Sequence, residues 1–187
     1  MIGWRFWRLR WLDARPWACW LESPVVPNTV WQARSVFRSR CEQCDGAPSL
    51  ECCCGIHAFH AGPFFEDGVP VSRRGRGWAD PQDGPCVVGQ VRGWGQVVEH
   101  CKGWRAGAAY PSSLAIACAD CLREEGVLRR AGVLGWWAGG AGPGMCDGHR
   151  SSWLEQAVGT VVVVPALAVE EMLCGGYGIE KARLPHE

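Results

Sequence analysis

Alternation of apolar and polar residues is the main pattern in the chain, and it predicts a mostly β protein. Residues 4–11, WRFWRLRW, alternate imperfectly and predict a strand, and residues 17–22, WACWLE, predict its antiparallel partner. The turn between them falls near Asp13 to Pro16. The chain is therefore predicted to open with a β-hairpin.

The strongest strand signal covers residues 86–100, CVVGQVRGWGQVVEH, in which valines and glycines alternate with polar residues. The glycines suit a sharply bent strand or a β-bulge. A CKG turn then returns the chain through WRAGAAYP, and the run SLAIA leads directly to Cys118. This order predicts a sheet that carries a cysteine motif at the end of one strand.

The C-terminal part is predicted to contain one strand and a short helix. The strand ends at Val164, and Pro165 suits the first turn of the helix that follows. Gly175 is the predicted stop of that helix, and Tyr177 and Ile179 are expected to pack its end against the body of the protein. The fold class predicted from these patterns is α+β, mostly β, with a twisted antiparallel sheet and short C-terminal helices.

The length of 187 residues fits one domain, alone or with an appendage. Residues 1–62 are predicted to form the N-terminal hairpin and a cysteine-rich cluster. Residues 63–86 are rich in Gly, Pro and charge without apolar periodicity, which predicts a surface loop or linker. Residues 87–187 are predicted to hold the sheet, a metal site and the C-terminal helices, in one compact unit with 1–62.

The formal net charge is zero, which argues against a protein that binds polyanions over its whole surface. The charge is unevenly spread, because residues 1–40 contain seven arginines against Asp13 and Glu22. Only this part of the chain is expected to form a basic face. The excess of arginine over lysine, 17 to 2, is also typical of the codon usage of a GC-rich genome.

Twelve cysteines are compatible with disulfides in a secreted protein or with thiolate ligands in a reducing cytosol. Their spacing favours metal binding. The start, MIGWRFWRLRWLDARPW, has no uninterrupted apolar segment and does not resemble a signal peptide. The apolar run 157–169 is shorter than the roughly 18–20 residues that a membrane span requires. The predicted location is the cytoplasm, without membrane contact.

The segment from Cys118 to His149 has the spacing of a zinc site. Cys118 and Cys121 form a Cys-x-x-Cys knuckle, and Cys146 and His149 supply the second pair of ligands. A hairpin is predicted between the pairs, and a helix after Ser151 and Ser152, its candidate N-caps. Knuckle, hairpin and helix start together describe a treble-clef zinc site. Four protein ligands leave no open position, so the metal is expected to be structural.

A second zinc ion is predicted in the segment 41–62, CEQCDGAPSLECCCGIHAFHAG. The predicted ligands are Cys41, Cys44, Cys52 and Cys54. Other donors nearby leave the ligand set open at this stage: Cys53, His57 and His60. Adjacent thiols also allow a redox role.

Four further motifs resemble a family of small proteins of actinobacteria and their phages. They are GWRFW at 3–7, CCGIHA at 53–58, VVGQVRGWGQVVEH at 87–100 and GWRAGAAYPSSL at 103–114. The resemblance covers most of residues 3–114 and implies a shared fold that extends to the 118–149 site. It implies no activity.

Two classes of function are compatible with these features. The first is a zinc-stabilised binding module that contacts nucleic acid through the Arg/Trp-rich hairpin and the RRGRG segment at 73–77, or a protein through an aromatic surface. Tryptophans in such a hairpin are more often core than stacking platforms. The second is a metal-dependent or thiol-based enzyme that uses the Cys41–Cys54 cluster with His57, or the turn at Glu99 and His100.

The enzyme hypothesis has the weaker support from sequence. Strand alternation places Glu99 and His100 on opposite faces, and an ion pair of Glu99 with Arg105 across the hairpin is the simpler expectation. The chain contains neither a Gly-x-Ser-x-Gly motif nor a phosphate-binding P-loop motif.

Overall fold

The computed structural model describes residues 1–11, 19–24, 26, 29–44, 46–61, 86–121, 127–137, 140–149 and 162–184. Within these ranges the chain is mostly β, as the alternation predicts. The strands and the helix, in chain order, are β1 Ile2–Trp11, β2 Cys19–Glu22, β3 Val30–Trp31, β4 Phe37–Arg38, β5 Ile56–Phe59, β6 Cys86–His100, β7 Gly103–Pro111, β8 Ser113–Ala117, β9 Val133–Trp137, β10 Gly140–Met145, β11 Val162–Pro165, α1 Ala166–Tyr177 and β12 Glu180–Lys181. Some predicted features lie outside the described residues: the turn near Asp13, the linker up to Pro85 with its RRGRG segment, and the caps Ser151 and Ser152.

In the described residues, nine strands form the main sheet, with β6 at its centre. β6 pairs with β1 along one side and with β7 and β8 along the other. β5 pairs with both β7 and β1, so the pairings β1–β6–β7–β5 close into a ring. The sheet is antiparallel, as predicted, except for the parallel pair β8–β12, which makes it mixed. The predicted N-terminal hairpin is confirmed as the pair β1–β2.

The predicted irregularity in β6 is a β-bulge. The register with β7 shifts between Trp94 and Val97, where two residues of β6 lie opposite Gly107 alone. Gly95, inside the bulge, has a φ of 80°, a conformation that L side chains rarely adopt. The bulge bends the long strand, so its first half pairs with β1 while its second half pairs only with β7.

Both faces of the sheet are covered, and each face has its own apolar cluster. Along β1, Trp7 and Leu9 belong to the larger cluster, whereas Trp4 and Phe6 belong to the smaller one. This alternation follows from the two-residue period of a strand. Trp4, Trp7 and Trp31 are buried, which confirms the core interpretation for these tryptophans.

The helix α1 covers the larger cluster and ends later than predicted. It continues through Gly175 to Tyr177, and Gly178, in a left-handed conformation with a φ of 67°, forms the C-cap. The predicted stop at Gly175 is therefore wrong. The physical reason is tertiary: Tyr177 is buried, its hydroxyl donates to the carbonyl of Trp31 and accepts from the amide of Leu21, and helical geometry is needed to bring it there.

A smaller sheet of three strands, in the order β10–β9–β11, extends from the same core. A half-buried ion pair joins it to the helix: Arg130, just before β9, donates to the buried carboxylate of Glu170 in α1 and to the carbonyl of Ala182. Glu170 also accepts the amide of Ile116 in β8 at 2.8 Å. Burial raises the pKa of Glu170, while these hydrogen bonds oppose the rise.

Candidate metal centres

The C-terminal cluster is assembled from two distant parts of the chain. Cys118 follows the last residue of β8, and Cys121 lies one helical turn later. The β9–β10 hairpin then returns the chain, so that Cys146 follows the last residue of β10 and His149 lies in a second short helical turn. The predicted knuckle and hairpin are therefore present and are followed by a helical turn at 147–149, while the predicted helix after Ser152 lies outside the described residues.

The donor atoms of this cluster lie at the spacing of a tetrahedron. Nδ1 of His149 is 3.6 Å from Sγ of Cys118, 3.4 Å from Sγ of Cys121 and 3.4 Å from Sγ of Cys146. The sulfurs of Cys121 and Cys146 are 3.5 Å apart. Zinc bonds of about 2.3 Å to sulfur and 2.0 Å to nitrogen place tetrahedral ligand atoms roughly 3.5–3.8 Å apart. The four donors thus lie where one such ion would hold them.

The cluster is buried on its knuckle side and braced by the backbone. Cys118 and Cys121 have no exposed surface, whereas Cys146 and His149 are half-buried. The amide of Cys118 donates to the carbonyl of Arg129 at 2.7 Å, and the amide of His149 donates to the carbonyl of Cys146 at 3.2 Å. These bonds position both ligand pairs on strand ends that belong to the core.

The N-terminal cluster also brings four sulfurs together. Sγ of Cys41 lies 3.7 Å from Sγ of Cys52, and Sγ of Cys44 lies 3.3 Å from Sγ of Cys54. All four donors fall within 4.8 Å of one another, and all four residues are half-buried. A disulfide would need a sulfur separation of about 2.05 Å, and these cysteines are free thiols.

The alternative donors that the sequence left open point elsewhere. Cys53 is exposed, and its carbonyl lies 2.9 Å from Nε2 of His57, within hydrogen-bond distance. His60 lies 3.6 Å from the carboxylate of Glu99. The group of donors that can share one ion is therefore the predicted set, without Cys53, His57 or His60.

Arg105 in β7 fastens this cluster to the main sheet. The residue is buried, and its guanidinium donates to the carbonyl of Cys52 and, at 3.0 Å, to the carbonyl of Cys54. Its Nε donates to Nε2 of His100 at 2.9 Å. The predicted ion pair of Arg105 with Glu99 is wrong, because the guanidinium turns toward the cysteine loop. The only sequence signal for this role is a single charge in an otherwise apolar strand.

Hydrogen bonds within the N-terminal cluster give its thiols different pKa values. The amide of Gln43 is the main cause that lowers the pKa of Cys41 to about 7, and hydrogen bonding with Cys54 is the main cause that raises the pKa of Cys44 to about 12. In the C-terminal cluster, burial favours the neutral thiol of Cys146, but hydrogen bonds from Cys121 and His149 lower its pKa to about 7. The pKa of one thiol in each cluster is thus lowered toward neutral pH, and metal binding would release the proton of a thiol whose pKa is raised, such as Cys44.

The turn at Glu99 and His100, the other predicted site, does not bring its two side chains together. Both residues are exposed, and they make separate contacts: Glu99 faces His60, and His100 accepts from Arg105. The two contacts are separate because successive side chains of a strand point to opposite faces, as predicted for Glu99 and His100.

A basic cleft, not predicted from sequence, lies beside the N-terminal cluster. Its volume is about 770 Å³, and Cys53, Cys54 and His57 are among its lining residues. Among the described residues, its charged lining consists of Arg5, Arg38 and Arg40, and none of the described lining residues is acidic. The basic character of residues 1–40 was the only signal in the sequence.

A second cleft of about 770 Å³ adjoins the first, and Val36 lines both. It contains Arg34, Arg92 and the exposed Trp94, with Glu180 as its acidic residue. The segment 34–40, RSVFRSR, thus contributes arginines to both clefts. We refer to the two clefts together as the arginine groove.

Comparison with known protein families, with curated proteins and with solved structures finds no match. In the described part of the chain, the model contains no helix with the length and apolarity of a membrane span.

Proposed function

We propose that this protein is a zinc-stabilised binding module that holds single-stranded nucleic acid in the arginine groove. The observation that carries the proposal is the position of a basic cleft directly against a four-cysteine cluster, and the part of the cleft lining that the structure describes contains arginines and no acidic residue. In this arrangement the metal fixes the wall of the cleft, and the arginines supply the binding chemistry.

Both metal centres act structurally in this proposal. Each cluster offers four protein donors, Cys₄ at one and Cys₃His at the other, which fills a tetrahedral coordination shell. A catalytic zinc site keeps one position for water or substrate. The order of the C-terminal cluster, a knuckle, a hairpin and a helical turn, supports its assignment as a treble clef. The filled shells favour a binding module over the metal-dependent enzyme.

The charge of the groove favours an anionic chain. Arg38 and Arg40 are exposed and have no ion-pair partner in the described part of the chain. Arg92 is exposed in the second cleft in the same way, beside Trp94. Arginine contacts to phosphate give sequence-independent affinity, and an exposed aromatic ring provides a stacking surface for a base.

The dimensions favour one strand over a duplex. A volume of about 770 Å³ is within the range of about 300–1,000 Å³ that encloses a small-molecule ligand, which is the scale of a nucleotide unit. The stacking surface also requires unpaired bases, since paired bases in a duplex do not present their faces. Trp94 replaces the hairpin tryptophans as the stacking candidate, because Trp4, Trp7 and Trp31 are buried.

The test is the salt dependence of oligonucleotide binding by the zinc-loaded protein. We expect the affinity for a fluorescent single-stranded oligonucleotide to fall steeply with salt. We expect the double variant Arg38→Gln/Arg40→Gln to reduce the slope of log K against log salt by about 1.4, since each phosphate contact on a single strand contributes about 0.7. Arg183→Gln, which removes an exposed arginine elsewhere, serves as the matched control. Binding that ignores salt, or an unchanged slope in the double variant, contradicts the proposal and favours a protein partner.

A further inference from the structure

Arg5 is a buried cation without a counter-ion. It lies in the middle of β1 with 9 % of its surface exposed. In the described part of the chain, no carboxylate is within ion-pair distance of its guanidinium. Isolated buried charges are rare in proteins, because the loss of hydration costs several kcal/mol or more unless a partner offsets it.

The contacts that Arg5 makes are all with neutral groups. One terminal nitrogen donates to the carbonyl of His57, and the other lies 3.3 Å from the hydroxyl of Ser23. The guanidinium lies 5.2 Å from the centre of the Trp31 ring, a cation–π contact. Its Nε is buried and has no hydrogen-bond partner among the described residues. These contacts fix the orientation of the side chain, but they leave its charge uncompensated.

The residue remains a cation at neutral pH. Burial lowers the pKa of Arg5 to about 10, which is still well above 7, so the charge persists. The protein therefore retains an ionised group where solvation is poor, and that condition favours an external anion as partner.

Arg5 lines the first cleft together with the two exposed arginines. Arg38, in β4, and Arg40, two residues later, line the same cleft, and no carboxylate is among the lining residues that the structure describes. Three positive charges around one cleft repel one another, so an anion that enters it relieves this repulsion and also neutralises Arg5. Arginine presents a planar donor fork that matches the oxygens of phosphate.

We propose that Arg5 is the anchor of a built anion site at the inner wall of the first cleft, and that this site takes one phosphate group, with Arg38 and Arg40 closing over its outer side. The source of the phosphate, a nucleic-acid strand, rests on the proposed function. The site itself does not, because the buried cation and its cleft would recognise the phosphate of a free nucleotide by the same chemistry.

The experiment is a titration of the zinc-loaded protein with inorganic phosphate and with a nucleoside 5′-monophosphate, followed by ¹⁵N-edited NMR. Sodium chloride keeps the ionic strength constant, and the unphosphorylated nucleoside is the ligand control. We expect saturable shifts at the indole N–H of Trp31 and at the amides of Ser23 and His57, with both phosphate ligands and not with the nucleoside.

The variants distinguish phosphate binding that requires the Arg5 guanidinium from binding that requires only positive charge. Arg5→Lys keeps the charge but loses the fork, and we expect phosphate binding at least about tenfold weaker, the equivalent of one charged hydrogen bond. Arg183→Gln should bind as the parent protein does. Arg5→Met would remove the charge altogether, but it risks misfolding. The comparison of Arg5→Lys with the parent protein therefore decides whether Arg5 binds the phosphate.

Each outcome bears on one proposal at a time. Shifts that never saturate, or equal phosphate affinity in Arg5→Lys and the parent protein, overturn the Arg5 site. If phosphate binding is absent while oligonucleotides still bind in a salt-dependent way, the Arg5 site fails and the proposed function stands. If phosphate binds at Arg5 but oligonucleotides do not bind, the site stands and the nucleic-acid function fails.

Discussion

The two metal centres should differ sharply in what their loss does to the fold. We predict that Cys118→Ser abolishes cooperative folding, whereas Cys41→Ser leaves a folded protein that holds one zinc ion. Cys101→Ser is the matched control, since Cys101 is an exposed free thiol at the β6–β7 turn. It should retain two zinc ions and the parent stability.

The expected magnitude for the C-terminal centre follows from its burial. Cys118 and Cys121 have no exposed surface, and the strand before them, β8, is buried throughout. A structural zinc contributes about 10–16 kcal/mol to the folding of zinc-finger peptides at neutral pH, and a domain has about 5–15 kcal/mol of net stability. Loss of this ion also leaves uncompensated thiols inside the core, so no stable fold is expected.

The N-terminal centre carries much less of the core. Among its described residues from Cys41 to Cys54, only Pro48 is buried. The connection to the sheet is the pair of hydrogen bonds from Arg105, at about 1.5–3 kcal/mol each for a charged donor. Their loss costs at most about 6 kcal/mol, and hydration of the released guanidinium regains part of it.

The measurements are the zinc content per chain by mass spectrometry under native conditions and thermal melting followed by circular dichroism. The expected zinc content is two ions for the parent and for Cys101→Ser, and one ion for Cys41→Ser. For Cys118→Ser we expect a non-cooperative thermal melt. The reasoning is refuted if Cys118→Ser melts cooperatively near the parent temperature, or if Cys41→Ser loses both ions.

Two further predictions concern packing. Gly93→Ala should lower the free energy of unfolding, measured in urea, by at least about 1–3 kcal/mol, because a Cβ there would lie 2.3 Å from the ring of Trp104. Gly175→Ala adds its Cβ in open space at an exposed helical position and should raise the free energy of unfolding by about 0.5–1 kcal/mol. Equal effects of the two substitutions would contradict the packing of β6. Glu170→Leu should cost up to about 3–5 kcal/mol, since it removes the carboxylate that the half-buried Arg130 and the amide of Ile116 share. Glu170→Gln, which keeps an oxygen acceptor, should cost less, and a ranking in the opposite order would show that the carboxylate contributes only a desolvation cost.

Local sequence was sufficient to predict the donor set of the C-terminal cluster. Cys-x-x-Cys and Cys-x-x-His spacings restrict where a few neighbouring side chains can point, so Cys118, Cys121, Cys146 and His149 could be paired without knowledge of the fold. The first cluster required more, because Cys53 and Cys54 differ by one position and alternate in direction. The tertiary structure distinguishes them, because Arg105 donates to the carbonyls of Cys52 and Cys54 and thereby fixes the backbone on either side of Cys53.

Tertiary packing overruled two local expectations. Gly175 is a reasonable helix stop by intrinsic preference, with a penalty of about 1 kcal/mol for glycine. Burial of Tyr177 outweighs that penalty, and the helix continues. Glu99 and Arg105 were expected to pair across the hairpin, but the better acceptors for Arg105 come from a loop about 50 residues earlier in the chain.

The amino-acid sequence by itself therefore determined the main strands, the hairpins and the donor pairs within each Cys-x-x-Cys or Cys-x-x-His motif, because each depends on residues that are neighbours or nearly so. Only the tertiary structure decided which arginine became a buried cation and where a cleft formed. Arg5 is one of seven arginines in the first 40 residues. It differs from Arg38 and Arg40 because β5 and β6 pair on either side of its strand and remove it from water.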